Sequence, residues 1–221
     1  MKKRSVICCL IAICSLGAGL CEAKDAKASA SAIKAIESKY RAVNDLTADF
    51  TQETKIELLD KTVKKKGLFQ YKRGGRLRIE YAGKGGKHYV SDGTTLWTYI
   101  PGDDASLATF AVNERNVPKE ALSFLGGFGR LTKEFKVTAS SAFGSSPEGT
   151  ALHLVPRSKS PQYKWLDALF GKDNLMRELV VKNESGNESR YVFSDIKTNS
   201  SLPDSRFTLA SGKATPDTLP E

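Results

Sequence analysis

Hydrophobic and polar positions alternate with a period of two over most of the chain, which is the pattern of half-buried β-strands. It is clearest between Leu68 and Pro101, where Leu68–Lys72, Leu77–Tyr81 and Leu96–Ile100 are separated by Gly74-Gly75, the Gly83–Gly86 patch and Asp92-Gly93. The last of these is the dipeptide favoured by type I′ hairpin turns, so the stretch predicts an antiparallel meander with its large apolar residues on one concave face. A first strand is expected at Leu46–Glu53, ahead of a polar turn over Asp60–Lys66. A further strand fits Leu107–Val112, and later ones fit Phe135–Ala139, Ala151–Val155, Trp165–Phe170, Leu175–Val181, Ser189–Ile196 and Phe207–Leu209.

Two segments break the period. Ile33, Ile36, Tyr40 and Val43 recur at intervals of three and four, the stripe of an amphipathic helix capped by Ser29 or Ser31. Val117–Leu125 carries Pro118 near its start and Gly126-Gly127 just beyond its end, which predicts a short interrupted helix. With about eleven strands and no fixed repeat, the expected architecture is mainly β (α+β). It is a single, strongly curved antiparallel sheet forming an incomplete barrel, lidded by short helices.

Composition narrows the setting. Lys2, Lys3 and Arg4 precede an uncharged run from Val6 to Leu20 and then Cys21-Glu22-Ala23, the layout of a cleavable signal peptide. The expected division is a leader over 1–23 and one domain over 24–221, with a soluble, exported product in the periplasm. All four cysteines (8, 9, 14 and 21) fall in the leader, so a cleaved chain would rely on core packing without disulfides. The competing reading lipidates Cys21, with Leu20 standing where a lipobox has a small residue. Without residues 1–23, which hold Lys2, Lys3, Arg4 and Glu22, the net charge falls from +9 to +7. The basic residues are interleaved with acids, so a membrane or protein partner ranks above nucleic acid.

The search for catalytic chemistry returns little. His88 and His153 have no companions at metal-ligand spacing, and Gly83-Lys84-Gly85-Gly86-Lys87 lacks the first glycine and the Ser or Thr of a P-loop. No motif specifies an enzyme, a cofactor or a metal. What remains is apolar surface: Phe50, Leu77, Ile79, Tyr81 and Leu96 share one side of the expected sheet, and Phe124 and Leu125 of the interrupted helix add to it. A filled core and a cavity fit these positions equally well.

Three blocks of sequence resemble a known family. Leu46-Thr-Ala-Asp-Phe50-Thr-Gln52, the Lys72-Arg73 step leading into Leu77-Arg-Ile79-Glu-Tyr81, and Val90-Ser-Asp-Gly-Thr-Thr-Leu-Trp-Thr-Tyr-Ile-Pro101 are similar to the periplasmic outer-membrane lipoprotein carriers, the LolA family. The likeness runs on through Leu152–Pro156, Leu175–Asn187 and Phe207–Leu209. The resemblance implies a monomeric carrier that binds the acyl chains of lipoproteins in an apolar cavity, without cofactor. Its implied partners are an inner-membrane lipoprotein-releasing transporter and an outer-membrane lipoprotein acceptor. It also implies that Arg73, which by itself reads as a surface strand arginine, latches the helical lid through backbone hydrogen bonds. The chain departs from the family pattern at Gly74, where proline is usual, and at Leu77 and Ile79, near which an aromatic is common. A membrane-anchored acceptor of the same shape, or a regulatory sensor of mislocalised lipoproteins, are the alternatives.

Overall fold

The computed structural model describes residues 29–112, 128–144, 147–158 and 163–209. A helix, α1 (Ala30–Ala42), is followed by β1 (Asp45–Ile56), β2 (Lys61–Lys72), β3 (Arg76–Tyr81), β4 (His88–Asp92), β5 (Thr95–Ile100) and β6 (Asp103–Ala111). After the one-turn helix α2 (Leu131–Glu134) come β7 (Phe135–Ala139), β8 (Thr150–Pro156), β9 (Trp165–Phe170), β10 (Met176–Lys182) and β11 (Glu188–Thr198). The eleven strands form one antiparallel sheet in the order β6-β5-β4-β3-β2-β1-β11-β10-β9-β8-β7. Every adjacent pair in the sheet is a pair of sequence neighbours except β1 and β11, which join the two halves of the chain. β6 and β7 are edges, so the sheet is open, in keeping with the expected single antiparallel sheet of about eleven strands.

Three expectations need correction. Asp60–Lys66 is not a turn: β2 starts at Lys61, and the reversal is a 3-10 turn at Glu57–Leu59 with Asp60 in the left-handed region. The run of lysines is accommodated because the outer half of this hairpin projects into solvent, where both faces can be polar. The Asp92-Gly93 turn is not type I′, since only Gly93 takes a positive φ (101°), whereas that turn needs two such residues. Asp92 instead accepts hydrogen bonds from the amides of Thr94 (2.8 Å) and Thr95 (2.7 Å). Phe207–Leu209 is not a strand, because Asp204–Phe207 winds into a 3-10 turn docked on the outside of the sheet. The expected helix over Val117–Leu125 lies outside the described residues.

Register decides which residues share a face. Ala48 pairs with Phe69, and Phe69 with Ile79; Leu46 pairs with Tyr71, and Tyr71 with Leu77. Phe50 pairs with Phe193 on its other side. Cross-strand partners point the same way, so these side chains form one concave apolar layer. The helical stripe covers it: Ile33, Ile36 and Val43 are buried and belong, with the concave residues, to one continuous core.

The convex side carries a smaller cluster of Val90, Tyr99 and Leu209 beside the buried ion pair of Arg78 and Glu80 (2.5 Å). The C-terminal segment is strapped over it. Phe207 is fully buried, Arg78 donates to the carbonyl of Arg206 (3.1 Å), and Lys72 donates to the carbonyl of Leu202 (2.6 Å) and to Asp204 (2.5 Å). The hydrogen bond from Lys72, aided by the charge of Arg76, holds the Asp204 carboxyl below its usual range.

A lowered folded-state pKa supplies stabilisation that is present above the unfolded value near 3.9 and lost as pH falls through the folded value. The strap should therefore loosen below about pH 4. Hydrogen exchange at residues 203–209 should rise on acidification, and Asp204→Asn should show the raised exchange already at neutral pH.

Candidate functional site

The concave layer is where the chain's unusual chemistry lies, because its residues are aromatic as well as apolar. Phe50 meets Tyr81 edge-on (centroids 5.3 Å apart, planes at 88°), Phe69 meets Phe193 at 6.3 Å, and Tyr191 stacks on Phe193 at 6.4 Å. With Ile79 these side chains line a pocket of only about 10 Å³. A pocket for a drug-sized ligand is typically ~300–1,000 Å³. The layer is thus closed against itself and against α1 rather than held open.

Of the residues singled out by sequence, Phe50, Leu77 and Ile79 are buried together in the main core, with Tyr81 half-buried against them. Leu96 is fully buried on the same face of β5, but the described part of the main core stops short of it. Phe124 and Leu125 lie outside the described residues. Phe69, Tyr191 and Phe193 escaped the sequence reading. Tyr191 and Phe193 alternate correctly on β11, and only the β1–β11 pairing, made across more than a hundred residues, brings them opposite Gln52 and Phe50.

Polarity rises toward the hairpin end of the face. Gln52 donates to Thr54 (2.8 Å), which shares a hydrogen bond with Ser189 (2.9 Å). Lys65 sits over the Tyr81 ring at 5.1 Å and Lys87 over Tyr89 at 5.5 Å. This end is a mouth with aromatic walls and a cationic rim.

The other end is covered by α1, and what holds it there is specific. The last carbonyls of a helix have no partner within it. Arg73, exposed beyond the end of β2, donates Nη2 to the carbonyls of Arg41 and Val43 (3.0 Å to the latter), and its backbone amide donates to Asn44 (2.7 Å). Asn199 takes the carbonyl between them, donating Nδ2 to Ala42 (3.3 Å), while its Oδ1 accepts the Asn44 amide (2.7 Å). Two side chains from neighbouring parts of the sheet thereby cap three successive carbonyls.

Arg73 is aimed by the turn that follows it. Gly74 and Gly75 have φ of 93° and 80°, and Arg76 donates back to the Arg73 carbonyl (2.9 Å). Proline, with φ fixed near about −65°, could not occupy position 74 in this turn.

The same helix is tied down along its length. The Tyr40 hydroxyl accepts the Met176 amide (3.1 Å), and burial pushes its pKa far up, so it remains a neutral phenol. Glu37 accepts from both the amide and the hydroxyl of Thr132 (3.0 Å each), and Arg41 donates to the carbonyl of Gly129 (3.0 Å). α1 and the segment around α2 are thus joined over the sheet by polar contacts, which can break and re-form in water at small net cost.

A family model described as "Outer membrane lipoprotein carrier protein LolA" matches residues 41–210, from the last turn of α1 to the end of the strap. The chain belongs to the LolA family. It is 26% identical over 204 residues to an outer-membrane lipoprotein carrier protein of Chromobacterium violaceum, covering 92% of this chain and 93% of that one. A second such protein, from Nitrosomonas europaea, is 24% identical over 179 residues, covering 78% and 82%. Among solved structures, the LolA superfamily protein NE2245 from Nitrosomonas europaea matches 84% of this chain and 99% of its own at 13% identity, with a TM-score of 0.46.

Loss of the guanidinium should free the end of the helix while leaving the sheet intact. In Arg73→Leu, amide exchange across Ile33–Val43 should rise roughly five- to thirtyfold, the equivalent of about 1–2 kcal/mol for charged hydrogen bonds that are partly exposed. Exchange in β9 and β10 should not change.

Proposed function

We propose that the protein is a periplasmic carrier that takes up the acyl chains of lipoproteins beneath α1 and moves them between the inner and outer membranes. The observation that carries this reading is a concave aromatic face, covered by a helix whose own apolar stripe is small and whose attachment at its end is polar. Here the cover is fastened by hydrogen bonds that water can replace.

The energetics require such a fastening. Each buried methylene is worth about 0.8 kcal/mol, so several acyl chains amount to tens of kcal/mol. A preformed empty cavity would take up cargo and keep it. In this protein, cargo must displace α1, whose Tyr40 packs with Leu46, Ala48 and Phe193, and closure of the helix on release restores those contacts together with the bonds to Arg73 and Asn199. Uptake and release are then two nearly balanced states, with Arg73 favouring the closed one. The inner-membrane transporter and the outer-membrane acceptor bias that balance in opposite directions.

Protein purified from periplasm should carry triacylated lipoprotein, detected by mass spectrometry of the co-purifying material; its consistent absence under loading conditions would defeat the carrier reading. Tyr81 is half-buried and tolerates a charge better than fully buried Leu77 or Leu96. Tyr81→Asp should therefore stay folded and bind a fluorescent acyl probe at least about tenfold more weakly, as expected when apolar contact area is replaced by a carboxylate.

Arg73→Leu should load normally and release about five- to thirtyfold more slowly or less completely, matching the latch energy lost from the closed state. Delivery to outer-membrane fractions at the wild-type rate would show that the latch does not govern release.

A further inference from the structure

The β1–β2 hairpin does something the carrier reading does not need. β3 stops at Tyr81, opposite Gly67, so the outer side of β2 from Lys61 to Lys65 has no strand beside it among the described residues. At ~3.4 Å per residue this leaves roughly 17 Å of hairpin projecting past the β3 side of the sheet. At its tip Leu58 is 93% exposed and Leu59 65% exposed, the two most exposed large hydrophobic residues among those described. The tip is built to hold this shape. Glu57 donates its amide to Asn187 Oδ1 (3.1 Å), Asp60 donates its amide to the Glu57 carbonyl (3.3 Å), and Asp60 takes φ of 43° to close the turn.

Behind the leucines the exposed side chains are mainly cationic: Lys55, Lys61, Lys64, Lys65 and Lys66. Against them stand Glu53, which pairs with Lys64 at 2.9 Å, and Glu57 and Asp60, which flank the leucine pair. The lysines alone are explained by the open strand edge, which charge protects from pairing with another chain. The leucines are not, since a soluble hairpin tip gains nothing from two adjacent exposed leucines.

We propose that this tip is a membrane-contacting element: Leu58 and Leu59 dip into the interface of a phospholipid bilayer, and the lysines behind them engage lipid phosphates. Two leucines bury enough apolar surface for a shallow, reversible contact but not for an anchor, and a short basic patch adds attraction to anionic lipid. Glu57 and Asp60 sit at head-group depth, which favours a surface offering ammonium groups beside the phosphates, such as phosphatidylethanolamine mixed with phosphatidylglycerol. Lys65 links this element to the mouth, since it lies on the hairpin and also over the Tyr81 ring. The tip would then set the mouth against the bilayer surface. That last step rests on the carrier reading, whereas the membrane contact does not.

The test uses vesicles that contain no lipoprotein. Wild-type protein should co-sediment with vesicles of phosphatidylethanolamine and phosphatidylglycerol, less with phosphatidylcholine alone, and less again as salt is raised. Leu58→Asp/Leu59→Asp should lower the vesicle affinity roughly tenfold or more, with an unchanged thermal unfolding midpoint. Leu58→Trp should add tryptophan emission that brominated lipid quenches, beyond any quenching of the native Trp97 and Trp165. Wild-type protein left in the supernatant, or a double-Asp variant that binds as well as wild type, would overturn the proposal. So would a leucine-dependent dimer formed without vesicles, because the tip would then be a contact between copies. A protein that carries lipoprotein yet ignores vesicles would overturn this inference alone, and one that binds vesicles but no acyl cargo would overturn only the carrier reading.

Discussion

Three carbonyls at the end of α1 have no partners inside the helix, and the surrounding structure is arranged to supply them. Arg73 reaches two and Asn199 the third. Because these donors stand at the ends of β2 and β11, which flank β1 on either side, the helix can be capped only when the sheet beneath it has its full register. Capping thus makes the position of α1 depend on the sheet as a whole. Further along the helix, Glu37 and Tyr40 add bonds to Thr132 and to the Met176 amide, so its attachment is shared between the sheet and the segment around α2.

Lys72 and Arg73 are neighbours in sequence but work on opposite sides of the sheet. Lys72 holds the C-terminal strap through Leu202 and Asp204, while Arg73 holds α1. The strap in turn leaves β11 through Asn199, which caps the helix, and through Ser200 and Ser201, whose amides both bond the Asp45 carboxylate (2.7 and 3.1 Å). Lid, strap and the first strand therefore meet within a few residues. The convex cluster of Val90, Tyr99 and Leu209 belongs to the side of the strap, and the concave layer to the side of α1.

The closed state explains how an aromatic face can exist in water without being either a cavity or an ordinary core. Phe69 meets Phe193 and Phe50 meets Tyr81 edge to face, and the pocket they line has almost no free space, so the empty protein exposes little of the surface that would receive acyl chains. The gradient along that face, from the capped helix at one end to Gln52, Thr54, Lys65 and Lys87 at the other, gives it a dry end and a wet end. A chain with an apolar tail and a polar head fits such a gradient in one orientation.

Much of the sheet was legible in the sequence, because alternation is a local property and is enforced wherever one face is dry: β3, β5, β7 and β9 stand where it puts them. The stripe of α1 was equally legible, with Ile33, Ile36, Tyr40 and Val43 each facing the sheet. The lysine-rich half of β2 was not, since a hairpin that projects into solvent has no dry face to impose the pattern. Phe207–Leu209 misled for a related reason: a buried apolar triplet looks the same whether it pairs as a strand or docks as a turn. In the candidate site, Phe50, Leu77, Ile79 and Tyr81 were found by alternation, but Tyr191 and Phe193 join them only through a pairing that spans the chain. For Arg73 the contrast is sharpest. The sequence by itself determined that an arginine precedes a glycine turn, and nothing local in it says what that arginine meets. Only the tertiary structure, by placing the end of α1 beside the end of β2, decided that its guanidinium would face carbonyls rather than water.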